Sequence, residues 1–327
     1  MSKIQYCPLD RIAKNIILID GISRTGKLLL GSLVSSFDKM EHLEFGESFE
    51  FIIPAIRFKK VEHNFGSAYL NNYLNMLMYN KYISRNVNFR PNDRTGIDTS
   101  KNPQIYYDRL KAEEGDNIIK LIKKQKHFLP IVTHDIAVNL NILIKLKMNF
   151  KIIEIIRNPI DTVYSWYKKG LGVRYGNDPR NFTLLVRKNK KIYPWYNALS
   201  GYKENKYNNC ERCVEHVLNL NKQATINLKK NNLNKNILIT TYEDLTTKPL
   251  VELKKISTFL GTKTNEQTIK FIKREKLPLK KNIFLSQQKF NKKVNLIRSN
   301  CSKKIFEKLM ILNKDYEKNF YKLKLNK

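Results

Sequence analysis

The chain has 327 residues, 42 % hydrophobic and 11 % aromatic, enough apolar mass to bury a core and to exclude a wholly disordered chain. Lys and Arg number 61 against 29 Asp and Glu, a formal charge of +32 that codon bias toward Lys and an anionic ligand or partner are taken to share. Four cysteines are too few and scattered for a disulfide framework, Met1 to Asn15 lacks a signal-peptide core, and no window approaches the ~20 apolar residues of a membrane span; the expectation is a soluble, cytoplasmic protein.

Taken in chain order, four short apolar runs read as buried parallel strands: Ile16–Ile19, Phe128–Val132, Ile152–Ile156 and Ile237–Thr240. The first runs into Gly21–Gly26 and then a helical pattern over Leu28–Phe37. The third runs into Arg157-Asn158-Pro159 and a helix over Ile160–Lys169, with Pro suited to a first turn. The fourth runs into Tyr242-Glu243-Asp244-Leu245 and a helix over Leu250–Leu260. Strand, loop and helix repeated in this way predict a P-loop-type α/β fold, a parallel sheet flanked by helices. Ligands of such sheets sit at the carboxyl ends of the strands, so the three loops are expected to converge. Two insertions interrupt the pattern, helices and loops over about 57–110 and a basic, aromatic connection over 168–207 that reads as an acceptor surface or lid. With no repeat and no low-complexity linker, residues 1–327 are read as a single domain ending in an amphipathic helical stretch with Ile297, Ile305, Leu309 and Leu312 on one face.

The sharpest chemical signal is Asp20-Gly21-Ile22-Ser23-Arg24-Thr25-Gly26-Lys27-Leu28. Between a strand and a helix, such a loop offers backbone N–H groups and a helix N-terminus to phosphate. Gly21 to Lys27 satisfies half of a Walker A motif, but Leu28 stands where an NTPase needs a hydroxyl for magnesium. The second signal is Arg157 at a strand end with Ser165 eight residues later, a forked donor plus a hydroxyl for phosphate oxygens.

Together these elements resemble the PAPS-dependent sulfotransferases, over about residues 15–260. Arg24-Thr25-Gly26 is similar to that family's loop for the 5′ end of the cofactor, and Arg157 with Ser165 to its element for the 3′-phosphate. Tyr242-Glu243-Asp244-Leu245 followed by Pro249 looks like a segment of its bacterial and carbohydrate-acting members. The family's paired threonines are Lys27 and Leu28 here. The resemblance implies PAPS as cofactor with PAP as product, no metal, and a small-molecule or glycan acceptor. Cofactor-binding candidates are then Gly21, Ser23, Arg24, Thr25, Gly26, Lys27, Arg157 and Ser165, with Arg24 and Lys27 also neutralising charge during transfer. Two residues compete for the base that takes the acceptor's proton. His134 closes a strand in Thr133-His134-Asp135, and Glu47 follows the first helix in Phe45-Gly46-Glu47-Ser48. The strand-end position is the more rigid, which favours His134.

Cys210-Glu211-Arg212-Cys213 with His216 supplies only one CxxC, and the surrounding helical periodicity assigns it to a core face rather than to zinc. Two other classes stay open: a P-loop nucleotide kinase, which would need magnesium, and a basic nucleic-acid-binding module, for which the charge is too evenly spread. Acceptor identity and oligomeric state are not legible.

Overall fold

The computed structural model describes residues 4–175, 178–198, 207–231, 235–279 and 283–325. Part of the basic connection, 176–177 and 199–206, therefore lies outside the described residues.

Five parallel strands form the central sheet: β1 (Asn15–Asp20), β2 (Glu44–Phe45), β3 (Phe128–Val132), β4 (Lys151–Ile156) and β7 (Ile237–Thr241), in the order β2-β3-β1-β4-β7. All four expected strands are present to within a residue at each end. The unforeseen one, β2, is two residues long, too short to carry a hydrophobic pattern. A further hairpin, β5 (Leu185–Lys188) with β6 (Lys191–Pro194), lies inside the basic connection. Its turn residues Asn189 and Lys190 both have positive φ, 50° and 64°, the twist a two-residue hairpin turn requires.

Alternate residues of β1 enter opposite layers, as a strand covered on both faces must. Ile16 and Leu18 join Phe49, Leu70 and Ile131 in one apolar layer, while Ile17 and Ile19 join Leu30, Val34 and Ile155 in the other. A third apolar body lies beyond the carboxyl rim, where Trp166 and Trp195 pack with Cys213, Val217, Ile305 and Leu309. Cys210, Cys213 and His216 thus lie buried on the Asn209–Lys230 helix. The terminal stretch forms helices Ile283–Ser299 and Lys303–Leu325. Among the described residues, no helix is long and apolar enough to cross a membrane.

Because β1 has β3 on one side and β4 on the other, its neighbours lead away in opposite directions. This is the crevice where ligands of open α/β sheets bind.

Candidate active site

The loop after β1 is held against the sheet by glycines at positions no side chain could occupy. A Cβ on Gly21 (φ 151°) would lie 2.4 Å from the Ile155 carbonyl oxygen, and one on Gly26 (φ 103°) 2.5 Å from the Tyr242 ring. Arg24 is also left-handed, with φ 72°, and its side chain is exposed. Thr25 ties the turn internally, its hydroxyl donating to the Ile22 carbonyl at 2.8 Å.

The loop after β4 meets it directly. Asn158 caps the Pro159–Lys168 helix, its side chain accepting from the Ile160 and Asp161 N–H groups. That fixes the first turn and so carries Ser165 to the crevice. Arg24 Nε donates to Ser165 Oγ at 3.0 Å, and Arg157 Nη1 to the Arg24 carbonyl at 3.0 Å. The Arg157 guanidinium lies 4.2 Å over the Tyr242 ring, while its Nε is shielded from solvent without a hydrogen-bond partner. Trp166 Nε1 donates to the Ser23 carbonyl at 2.8 Å, fastening the two loops together from behind. Glu243 completes the rim, accepting from the Asn158 N–H at 3.0 Å and from the Tyr316 hydroxyl at 2.6 Å.

Of these groups Arg24, Gly26, Arg157 and Tyr242 line a cleft of about 540 Å³, within the roughly 300–1,000 Å³ of small-molecule sites, and Ser165 adjoins it through its bond to Arg24. Its arginines Arg24 and Arg157, a neighbouring hydroxyl and an orphaned guanidinium N–H suit an anion with several phosphate oxygens.

Lys27 differs from the sequence expectation. It is buried, and its ammonium donates inward to the Gly21 and Ile22 carbonyls at 2.5 and 3.0 Å. Burial lowers its pKa, against the opposing pull of Asp135, Asp20, Glu50 and Glu154. Its charge therefore holds the loop together over a buried acidic cluster, rather than standing free in the cleft. Within that cluster burial and the neighbouring Asp20 push the Glu154 carboxyl well up, while Asp20 accepts from Thr133 Oγ1 and the Ala137 N–H.

His134 stands on the wall between this cleft and a second cavity of about 250 Å³, lining both. Its Nδ1 lies 2.7 Å from Glu50 Oε1. The second cavity is walled by Phe45, Phe51, Trp166, Tyr175, Trp195 and Tyr196, with Glu47, Glu50 and Asp135 as its acids. Three of those rings come from the basic connection. Glu47 is not in a loop, as its sequence neighbourhood suggested, but opens the Glu47–Arg57 helix directly after β2. Pairing of Phe45 with Val132 brings it to the rim beside His134. Desolvation of its carboxyl, then the like charges of Glu44 and Glu50, raise its pKa. Both base candidates therefore share one cavity. Glu50 and Asp135 were not singled out from the sequence. The signals were there, since Glu50 lies one helical turn from Glu47 and Asp135 directly follows His134.

A family model described as "Sulfotransferase domain" matches residues 14–311. The chain belongs to that family. No curated protein matches it in sequence. Among solved structures it is similar to the sulfotransferase domain of the curacin biosynthetic pathway, at 14 % identity and TM-score 0.45, over 79 % of this chain and 77 % of that one. It is also similar to the sulfotransferase domain of the Synechococcus PCC 7002 olefin synthase, at 14 % identity and TM-score 0.42, over 81 % and 80 %. A third similar structure is mouse sulfotransferase SULT7A1 complexed with PAP, at 14 % identity and TM-score 0.35, over 82 % and 65 %. Membership of the sulfotransferase family rests on the match across 14–311 and makes the chain an enzyme of sulfuryl transfer.

Proposed function

We propose that this sulfotransferase moves a sulfuryl group from PAPS to a hydroxyl of an acceptor, with carbohydrate as the acceptor class. The observation that carries the reading is the position of His134, common to the arginine-lined cleft and the aromatic cavity. Arg157 and Ser165 would hold the 3′-phosphate, and Arg24 with the Gly21–Gly26 backbone the 5′ end. Lys27 would act behind them, holding the loop in shape. When bound, PAPS supplies the sulfuryl group, and PAP departs.

With His134 Nδ1 donating to the Glu50 carboxylate 2.7 Å away, Nε2 would be the nitrogen left to accept a proton. As the acceptor oxygen bonds to sulfur, its proton passes to that nitrogen, and the bond from sulfur to the departing phosphate breaks. The arginines meet the charge that develops there. Glu47, in the same cavity, is placed to orient the acceptor rather than to act first as base. Its carboxyl has no partner that fixes it as Glu50 fixes His134.

The test is thermal stabilisation by PAP compared with 5′-AMP. At about 100 times Kd a ligand adds roughly 2.7 kcal/mol, a readily measured melting shift. PAP should stabilise far more than AMP, and equal shifts would remove the 3′-phosphate site on which the reading depends.

A further inference from the structure

We infer that the acceptor is a hydroxylated organic cation, held by the aromatic walls and carboxylates of the cavity beside His134. This rests on the reading of that cavity as the acceptor site.

The cavity's charge runs against that of the chain. The chain carries about two basic residues for every acid, so a cavity lined without selection would be basic. The described lining here has Glu47, Glu50 and Asp135 and neither Lys nor Arg. The neighbouring cleft has the opposite sign, with Arg24 and Arg157 making no ion pair among the described residues and Arg94 paired to Glu275. Two compartments meeting at one histidine thus have opposite charge preference. The basic one suits an anionic donor. The acidic one would repel an anionic acceptor and attract a cationic one.

Each acid has a different claim on its surroundings. Glu50 holds His134. Glu47 accepts from the Tyr73 hydroxyl at the long distance of 3.4 Å. Asp135 is left over. Its Oδ1 is shielded from solvent and has no hydrogen-bond partner, and its backbone is left-handed at φ 62°. Lys27 and His134 act on it through their charge, but the Lys27 ammonium donates to the Gly21 and Ile22 carbonyls and His134 Nδ1 faces Glu50, so neither hydrogen-bonds this oxygen. An ammonium in the cavity would supply the hydrogen bond that Asp135 Oδ1 lacks and add countercharge for the three acids of the lining. Its aromatic walls add a second recognition mode, since ring faces attract ammonium groups most strongly when water is excluded. An amine borne by a sugar and an amine borne by an aromatic ring share this chemistry.

The experiment is calorimetric titration of the PAP-saturated protein with two matched series. One is glucosamine, glucose and glucuronate; the other is tyramine, 4-ethylphenol and 3-(4-hydroxyphenyl)propionate. In at least one series the cation should bind about tenfold or more tighter than the neutral analogue, with the anion weakest. The series that responds identifies the amine's carrier. The double change Glu47→Gln with Glu50→Gln should erase that order. If it fails to fold, as PAP-dependent melting would reveal, the wild-type order alone decides. Neutral or anionic ligands leading in both series, or no cation binding at millimolar concentration, overturns the inference while leaving sulfuryl transfer intact. A protein that PAP does not stabilise removes the donor site, and this inference falls with it.

Discussion

His134 is aimed by Glu50, and Arg157 by the Arg24 carbonyl and the Tyr242 ring; sharing no neighbour, their substitutions are separable. His134→Ala removes the proposed base without touching the cleft's arginines, so kcat should fall by about 10²–10⁴ while PAP affinity holds. Glu50→Gln keeps the hydrogen bond but removes the charge that favours a protonated ring. It should lower kcat less than His134→Ala does, and near-equal losses would mean that Glu50 itself carries the proton. Arg157→Ala should act the other way, weakening PAP by more than tenfold through loss of a charge-assisted pair of about 1.5–3 kcal/mol. At this scale the sequence was informative where chemistry follows a strand end: Arg24, Arg157, Ser165 and His134 all lie on one crevice. It was silent on where Lys27 turns, because residue type says nothing about whether a side chain faces ligand or its own loop. Only the two carbonyls it reaches decide that.

Among elements, the short strand β2 has an influence out of proportion to its two residues. Its pairing with β3 turns Gly46 inward and starts the Glu47–Arg57 helix at the rim, which is how both carboxylates of that helix reach the cavity. No sequence pattern of two residues announces such a strand, whereas the four longer strands carry enough apolar residues to be read directly. The basic connection shows the converse. Its aromatics were visible, but not that Trp195 would be both wall and core. Trp195 is buried, packs edge-on to Tyr196 at 5.7 Å and lies under Arg57 at 5.9 Å. Trp195→Ala should therefore cost about 3–5 kcal/mol of stability as a core truncation. In the fraction that remains folded, it should raise the acceptor KM with PAP affinity nearly unchanged. A parallel fall in PAP affinity would place the residue's influence on the donor side.

For the whole molecule, acid sensitivity has a traceable source. His42 and His216 are buried, and burial, followed by Lys81 and Arg212 respectively, drives each pKa down to about 3. In the unfolded chain each returns to about 6.5, so between pH 6.5 and 3 the unfolded state binds more protons and the native state loses ground as pH falls. Asp135, raised to about 7 by burial, and Glu154, also raised, titrate in the opposite sense and mask the net slope. A variant isolates the histidine contribution. The stability penalty of His216→Phe measured by urea unfolding at pH 7 should shrink by about 2 kcal/mol at pH 5. A penalty independent of pH would mean that His216 binds its proton equally well in the native and unfolded states, so that burial does not lower its pKa.

The Glu243 contact reaches across the length of the chain. Its carboxylate joins the N–H of Asn158, next to Arg157, to the hydroxyl of Tyr316, while Asn313 accepts from the Asn158 side chain at 2.8 Å. Both partners lie past residue 311, where the family match stops. The arginine-lined cleft is therefore latched from the Lys303–Leu325 helix, which the family match covers only in part. A fragment trimmed to 14–311 is a catalytic rim without its clasp. Tyr316→Phe, which removes one bond to a charged group worth about 1.5–3 kcal/mol, should lower the melting temperature and PAP affinity together. If affinity survives while stability falls, the clasp holds the fold and not the cleft.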